Sequence, residues 1–163
     1  MISKDVLAKL SLFEGLPDEA LEALAGMSKE LSFAPDMIIF SPEQPSEHLY
    51  VLAGGSVRLT IFVSTLSGPV TVTSLKTPGQ AFGFSAVVGG GHHHSSAEAS
   101  TEVQVIAVDG RALMAYLEKE PSVGFVVMKR IAAVISQRLA ALRRLLIDTI
   151  NDYERPASAT AEN

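Results

Sequence analysis

Three consecutive histidines, His92, His93 and His94, follow Gly89, Gly90 and Gly91, and Ser85 lies a few residues upstream. Imidazoles bind metals, carry protons near neutral pH and activate serine hydroxyls. Each of those chemistries needs more than proximity along the chain. Neighbouring residues of a strand point to opposite faces, so three histidines meet on one metal only if the backbone is irregular. The sequence has no cysteine to complete a thiolate site or to act as a nucleophile. A serine and a histidine also need an orienting acid and an oxyanion hole before they form a triad. Glu98 and Glu102 read as solvated strand positions, and no P-loop, G-x-S-x-G or H-E-x-x-H string occurs. The expectation is a non-enzymatic protein with adventitious metal affinity at most at His92–His94, in a flexible solvated loop, with His48 on the surface.

The chain must position those residues with one core, since 163 residues suit a single domain with a helical extension. Hydrophobic residues at 47% supply enough burial to order it, and a formal charge of −5 disfavours broad binding to phosphate backbones or anionic lipid. The charged N-terminus is no secretory signal, and apolar runs such as Val123 to Met128 are far shorter than a bilayer span. With no cysteine, a cytoplasmic protein is expected.

Period assigns the elements. Val6, Leu7 and Leu10, then Leu21 and Leu24, have helical spacing, which predicts helices over 3–12 and 17–27. Short β-prone runs follow, at 37–40, 49–53, 56–63, 70–75 and 103–108, with Val57, Leu59, Ile61 and Val63 alternating as in a half-buried strand. Asp109 caps a helix through Leu117, and Pro121 opens a long helix to about Tyr153. These elements predict an α+β fold, an antiparallel β-roll or jelly roll between N-terminal helices and a long C-terminal helix. The expected divisions are 1–29 for the first helices, 30–109 for the roll, 110–153 for the last helices, and a disordered tail at 154–163.

Along the long helix Phe125, Met128, Ala132, Ile135, Leu139, Leu142, Leu146, Thr149 and Tyr153 recur in steps of three and four. The first half, with Ile131 and Val134 off that seam, is expected to lie on the roll. The second half extends past it and needs another partner, most simply its copy in a second chain. Arg130, Arg138, Arg143 and Arg144 read as exposed helix charge.

Several strings in this order resemble the cyclic-nucleotide-binding domains of the catabolite-activator and protein-kinase-A regulatory type. Leu12-Phe13-Glu14-Gly15-Leu16 resembles the opening turn, Leu49 to Val57 the "LY.I..G.V" hairpin with Gly55 in its turn, and Val103 to Asp109 the strand before the closing helices. Pro78-Gly79-Gln80-Ala81-Phe82-Gly83 resembles the start of the phosphate-binding cassette. The resemblance implies a ligand site at Phe82, Gly83, Phe84, Ser85, Ala86, His94, Ser95 and Ser96. It also implies a departure, because Phe84 stands where the family has Glu and His94 where it has Arg. A neutral imidazole cannot replace a bidentate guanidinium, so cyclic AMP or cyclic GMP should bind weakly. The base-reading positions fall near Leu142 and Arg143.

Three readings of that pocket follow: a degenerate one that only packs, one retuned for another small anionic ligand, or a nucleotide site built from His94, Ser95, Ser96 and cassette amides. Family members that bind haem add a haem hypothesis at His92–His94. Family transcription factors carry a winged helix-turn-helix after the long helix, for which about ten residues leave no room, so no direct DNA binding is expected. The function implied is a signal-sensing module acting through a homodimer, with a scaffold for a protein partner as the alternative.

Overall fold

A computed structural model describes the backbone of residues 2–62 and 68–154, with side chains through Asp152. Two short helices, α1 (Lys4–Leu7) and α2 (Asp18–Gly26), precede eight strands. These are β1 (Ser28–Phe33), β2 (Ile38–Phe40), β3 (His48–Gly54), β4 (Val57–Phe62), β5 (Pro69–Leu75), β6 (Ala81–Phe82), β7 (Ser96–Ala99) and β8 (Val103–Asp109). Helices α3 (Gly110–Lys119) and α4 (Pro121–Glu154) follow. The strands form two antiparallel four-stranded sheets, ordered β1-β8-β3-β6 and β2-β7-β4-β5, so the α+β roll with a long C-terminal helix is present.

Alternation along the central strands explains why the roll has two cores. On β3 and β8, Leu49, Val51, Ile106 and Val108 face a helical layer that includes Phe13, Leu24, Leu113, Val127 and Ile131. Tyr50, Leu52, Val103, Val105 and Ala107 face the interior between the sheets, with Phe40, Val57, Leu59, Leu75 and Phe82. Both faces of β8 are therefore covered, which its nearly unbroken apolar run requires. Gly55 closes the β3–β4 hairpin at φ +85°, where a Cβ would lie 2.1 Å from the Glu102 carbonyl oxygen. Only glycine fits that approach.

Several local expectations change. The helix expected over 3–12 is one turn, after which hydrogen-bonded turns from Leu10 to Leu16 carry Leu10, Leu12 and Phe13 into the core. Strands β1, β6 and β7 add to the expected set, and β1 begins at Ser28, ahead of the boundary expected at 30. Glu98 is a half-buried partner of Arg58, at 2.6 Å, and not a solvated strand position. Asp109 caps α3, its carboxylate accepting from the Ala112 amide at 2.8 Å, and Pro121 begins α4 as expected. Val63 and residues 155–163 of the expected tail lie outside the described residues.

Candidate functional site

The segment expected to form the cassette begins as β6 pairs with β3, Phe82 opposite Tyr50 and Ala81 opposite Val51. Phe82 is fully buried and points into the roll, its ring 5.2 Å from Tyr50 and 6.1 Å from Phe40. Gly83 then turns the chain at φ +76°, packed so closely on β3 that a Cβ would sit 2.9 Å from the Tyr50 ring. Phe84–Ala86 form one 3-10 turn, with Val87 and Val88 amides donating to the Phe84 carbonyl at 2.9 and 2.8 Å. The Phe84 side chain is buried with the helical layer, while Ser85 and Ala86 are half-buried.

Helix α4 reaches this turn through Arg138. Its guanidinium lies 4.9 Å from the Phe84 ring centre and donates to the Ala81 carbonyl. Burial pushes its pKa down to about 10, because a desolvated cation is disfavoured. Cation–π stacking and a carbonyl bond thus tie the long helix to the cassette. Arg138 is not the exposed helix charge that the sequence suggested. Its inward position shows in the spacing of Ile131, Val134, Arg138, Ala141 and Leu145, all buried or half-buried in steps of three and four. Leu142 and Arg143, where base-reading positions were expected, are exposed.

Beside the tie lies a cavity of about 400 Å³ between α4, β5 and the segment 79–81. Thr73, Leu75, Gly79, Gln80 and Ala81 line one side, Ser11 and Leu12 an end, and Arg130, Ala133, Val134, Gln137, Arg138 and Ala141 the helix side.

The expected site divides into two groups. Phe82 to Ala86 form the continuous cassette turn, whereas His94 is exposed on the approach to β7, with Ser95 and Ser96 half-buried beside it. The three histidines do not share one environment. His92 is exposed and bridges to Pro45, and no cluster of three potential metal ligands occurs among the described residues. His93, expected in a solvated loop, is buried with its ring 3.7 Å from Phe40 and nearly parallel to it. Its amide donates to Gln44 and its carbonyl accepts from Glu43, which fixes the loop against 41–46. His48, read as a surface residue, is half-buried on β3.

Burial holds the His93 pKa below the usual histidine value, with His94 adding to the effect, and burial followed by Lys29 does the same to His48. The neutral ring is favoured in the folded state, so stability is complete above about pH 6.5 and declines as pH falls below it. Denaturant melts at pH 7.5, 6.5 and 5.5 should show that decline, and His93→Gln should flatten it. Equal slopes in both proteins would remove His93 as a cause.

An antiparallel roll with a glycine-bounded turn, touched by a long C-terminal helix, is the architecture shared by solved structures similar to this chain. The family profile described as cyclic nucleotide-binding domain matches residues 30–120. A Geobacter metallireducens protein assigned to the cyclic nucleotide-binding class is 34% identical with a TM-score of 0.74, covering 85% of this chain and 99% of its own. The Thermus thermophilus catabolite activator protein is 26% identical with a TM-score of 0.66, covering 86% and 62%. A CRP-like cAMP-activated global transcriptional regulator of Mycobacterium tuberculosis is 25% identical over 146 residues, 90% of this chain. This chain belongs to the cyclic nucleotide-binding domain family, and it spans 62% of the length of that regulator. No helix among the described residues is long and apolar enough to cross a membrane.

Proposed function

We propose that residues 1–153 act as one non-enzymatic regulatory unit in the cytoplasm, in which occupancy of the cassette region is transmitted to α4. The observation that carries this reading is the Arg138 tie, because it is a direct link between the cassette turn and the helix. A ligand that displaces the guanidinium from Phe84 and Ala81 frees the helix, and one that bridges the two holds it. The output surface is the exposed side of α4, where Phe125, Ile135, Leu139, Leu142 and Leu146 leave apolar area in solvent. A second copy of α4 covers that stripe in the proposed dimer. Met128 of the expected seam is half-buried against the roll, and Ala132 is exposed.

The M. tuberculosis relative is described as cAMP-activated, but the family resemblance places Phe84 and His94 here where an acceptor and a cation are expected. Phe84 cannot accept the ribose hydroxyl, and its ring is already covered by Arg138. Calorimetric titration with cyclic AMP and cyclic GMP is therefore expected to give dissociation constants weaker than about 0.1 mM. Hydrogen exchange of the 83–88 amides should rise in Arg138→Gln, together with that of the adjoining turns of α4. Micromolar cyclic-nucleotide binding lost in His94→Ala would replace this account with a nucleotide site built on His94, Ser95 and Ser96. Exchange unchanged at both elements in Arg138→Gln would favour a scaffold that acts through its dimer surface or a protein partner, since Phe84 and Arg138 already fill the cassette face.

A further inference from the structure

The cavity between α4 and β5 contains an electrostatic imbalance. Arg130 and Arg138 both line it, two turns apart on one face of α4. Each is known to donate to a single backbone carbonyl, Arg130 to Leu12 at 3.1 Å and Arg138 to Ala81, although a guanidinium has five N–H donors. No Asp or Glu lines the cavity, and neither arginine forms an ion pair among the described residues. A half-buried cation without a counter-charge is costly, and this one sits in a chain of net charge −5 with acids to spare elsewhere. Gln80 and Gln137 add neutral donors, and Leu75 and Val134 give the remaining wall an apolar character. Its volume lies within the range of small-molecule sites.

We infer that this cavity is a binding site for a small amphipathic anion, whose phosphate or carboxylate group is held by Arg130 and Arg138 and whose apolar part lies along Leu75 and Val134. The charge is supplied by the long helix, and the ligand supplies the missing counter-ion. Arg138 belongs to the cassette tie as well, so binding draws on the same guanidinium that stacks on Phe84. The regulatory meaning of the site rests on the sensor reading, whereas binding itself rests on the cavity.

The test titrates the full chain with hexyl phosphate, hexanoate and hexanol by calorimetry, in wild type, Arg130→Gln, Arg138→Gln, the double variant and Arg144→Gln. Arg144 is on the same helix and does not line this cavity. Circular dichroism melts establish that each variant is folded. Saturable binding is expected for an anion and not for hexanol, weakened about tenfold or more by each cavity substitution and unchanged by Arg144→Gln. The ratio of hexyl phosphate to hexanoate affinity distinguishes a phosphate site from a carboxylate site. No saturable binding of either anion up to about 5 mM, or unchanged binding in the folded double variant, would overturn the inference. Hydrogen exchange of the anion complex separates the two readings. Anion binding without change at 83–88 or along α4 would sink the sensor reading and leave the site, whereas absent anion binding together with a response of 83–88 to a nucleotide in the double variant would sink the site and leave the sensor reading.

Discussion

Phe82→Ala should destabilise the domain by about 3–5 kcal/mol, the range for removing a buried aromatic ring. The ring is fully buried, with Tyr50 stacked on one side and Phe40 nearby. Its surroundings cannot close over the space left behind. Tyr50 is held in β3, which pairs with β6 and β8 at once, and Phe40 is stacked against His93. A cavity therefore persists, and the lost contacts add to the lost burial. A domain stable by about 5–15 kcal/mol would lose a large fraction of that margin. Phe62 provides the contrast, since it is 72% exposed, and Phe62→Ala should change stability by no more than about 0.5 kcal/mol. Urea melts read both values. A cost below about 1 kcal/mol for Phe82→Ala would mean that the interior repacks and that the cassette is less firmly anchored than its geometry indicates.

Leu139→Glu with Leu146→Glu should convert a dimer to a monomer. The two side chains are 68% and 60% exposed in the single chain and share one stripe of α4. In the proposed dimer each carboxylate would be buried against apolar neighbours, a desolvation that the seam cannot compensate. The fold should survive, because α4 is anchored by Val123, Val127 and Ile131 on its other side. Sedimentation at tens of micromolar is expected to give a dimer for wild type and a folded monomer for the variant. A wild-type monomer would refute the dimer, and a variant that remains dimeric would place the interface elsewhere.

The sequence made the roll legible where turns are forced by glycine or proline and where apolar residues alternate. Gly55, Gly83 and Pro121 mark a hairpin, a tight turn and a helix start that the structure contains. It concealed β1 because Ser28, Lys29 and Glu30 look like loop, and the strand forms because β8 supplies its hydrogen bonds. It concealed β7 because Ala97 and Ala99 carry little apolar surface, yet both are fully buried where larger side chains would crowd the interior. Arg138 was hidden by its type. A charged residue in an apolar stripe reads as surface until the stripe itself is followed from Ile131 to Leu145, after which its inward position is unavoidable. His93 had no such sign, since its burial depends on Phe40, far away in sequence, and on the backbone of Glu43 and Gln44.

The register of β8 has a consequence for how the protein is made. Strand β1 pairs with it from Ser28 opposite Val108 to Phe33 opposite Val103, and β3 pairs with its other edge. The strand that joins the first and third elements of the roll is thus the last strand to be synthesised. Until it emerges from the ribosome, neither partner has its central neighbour, and one edge of β1 and one of β3 stay unpaired. Closure then depends on contacts between residues distant in sequence, which fold slowly and expose strand edges to other nascent chains. A ribosome-stalled chain ending before Val103 should be a preferred substrate of chaperones, and one extended through α3 should be released from them.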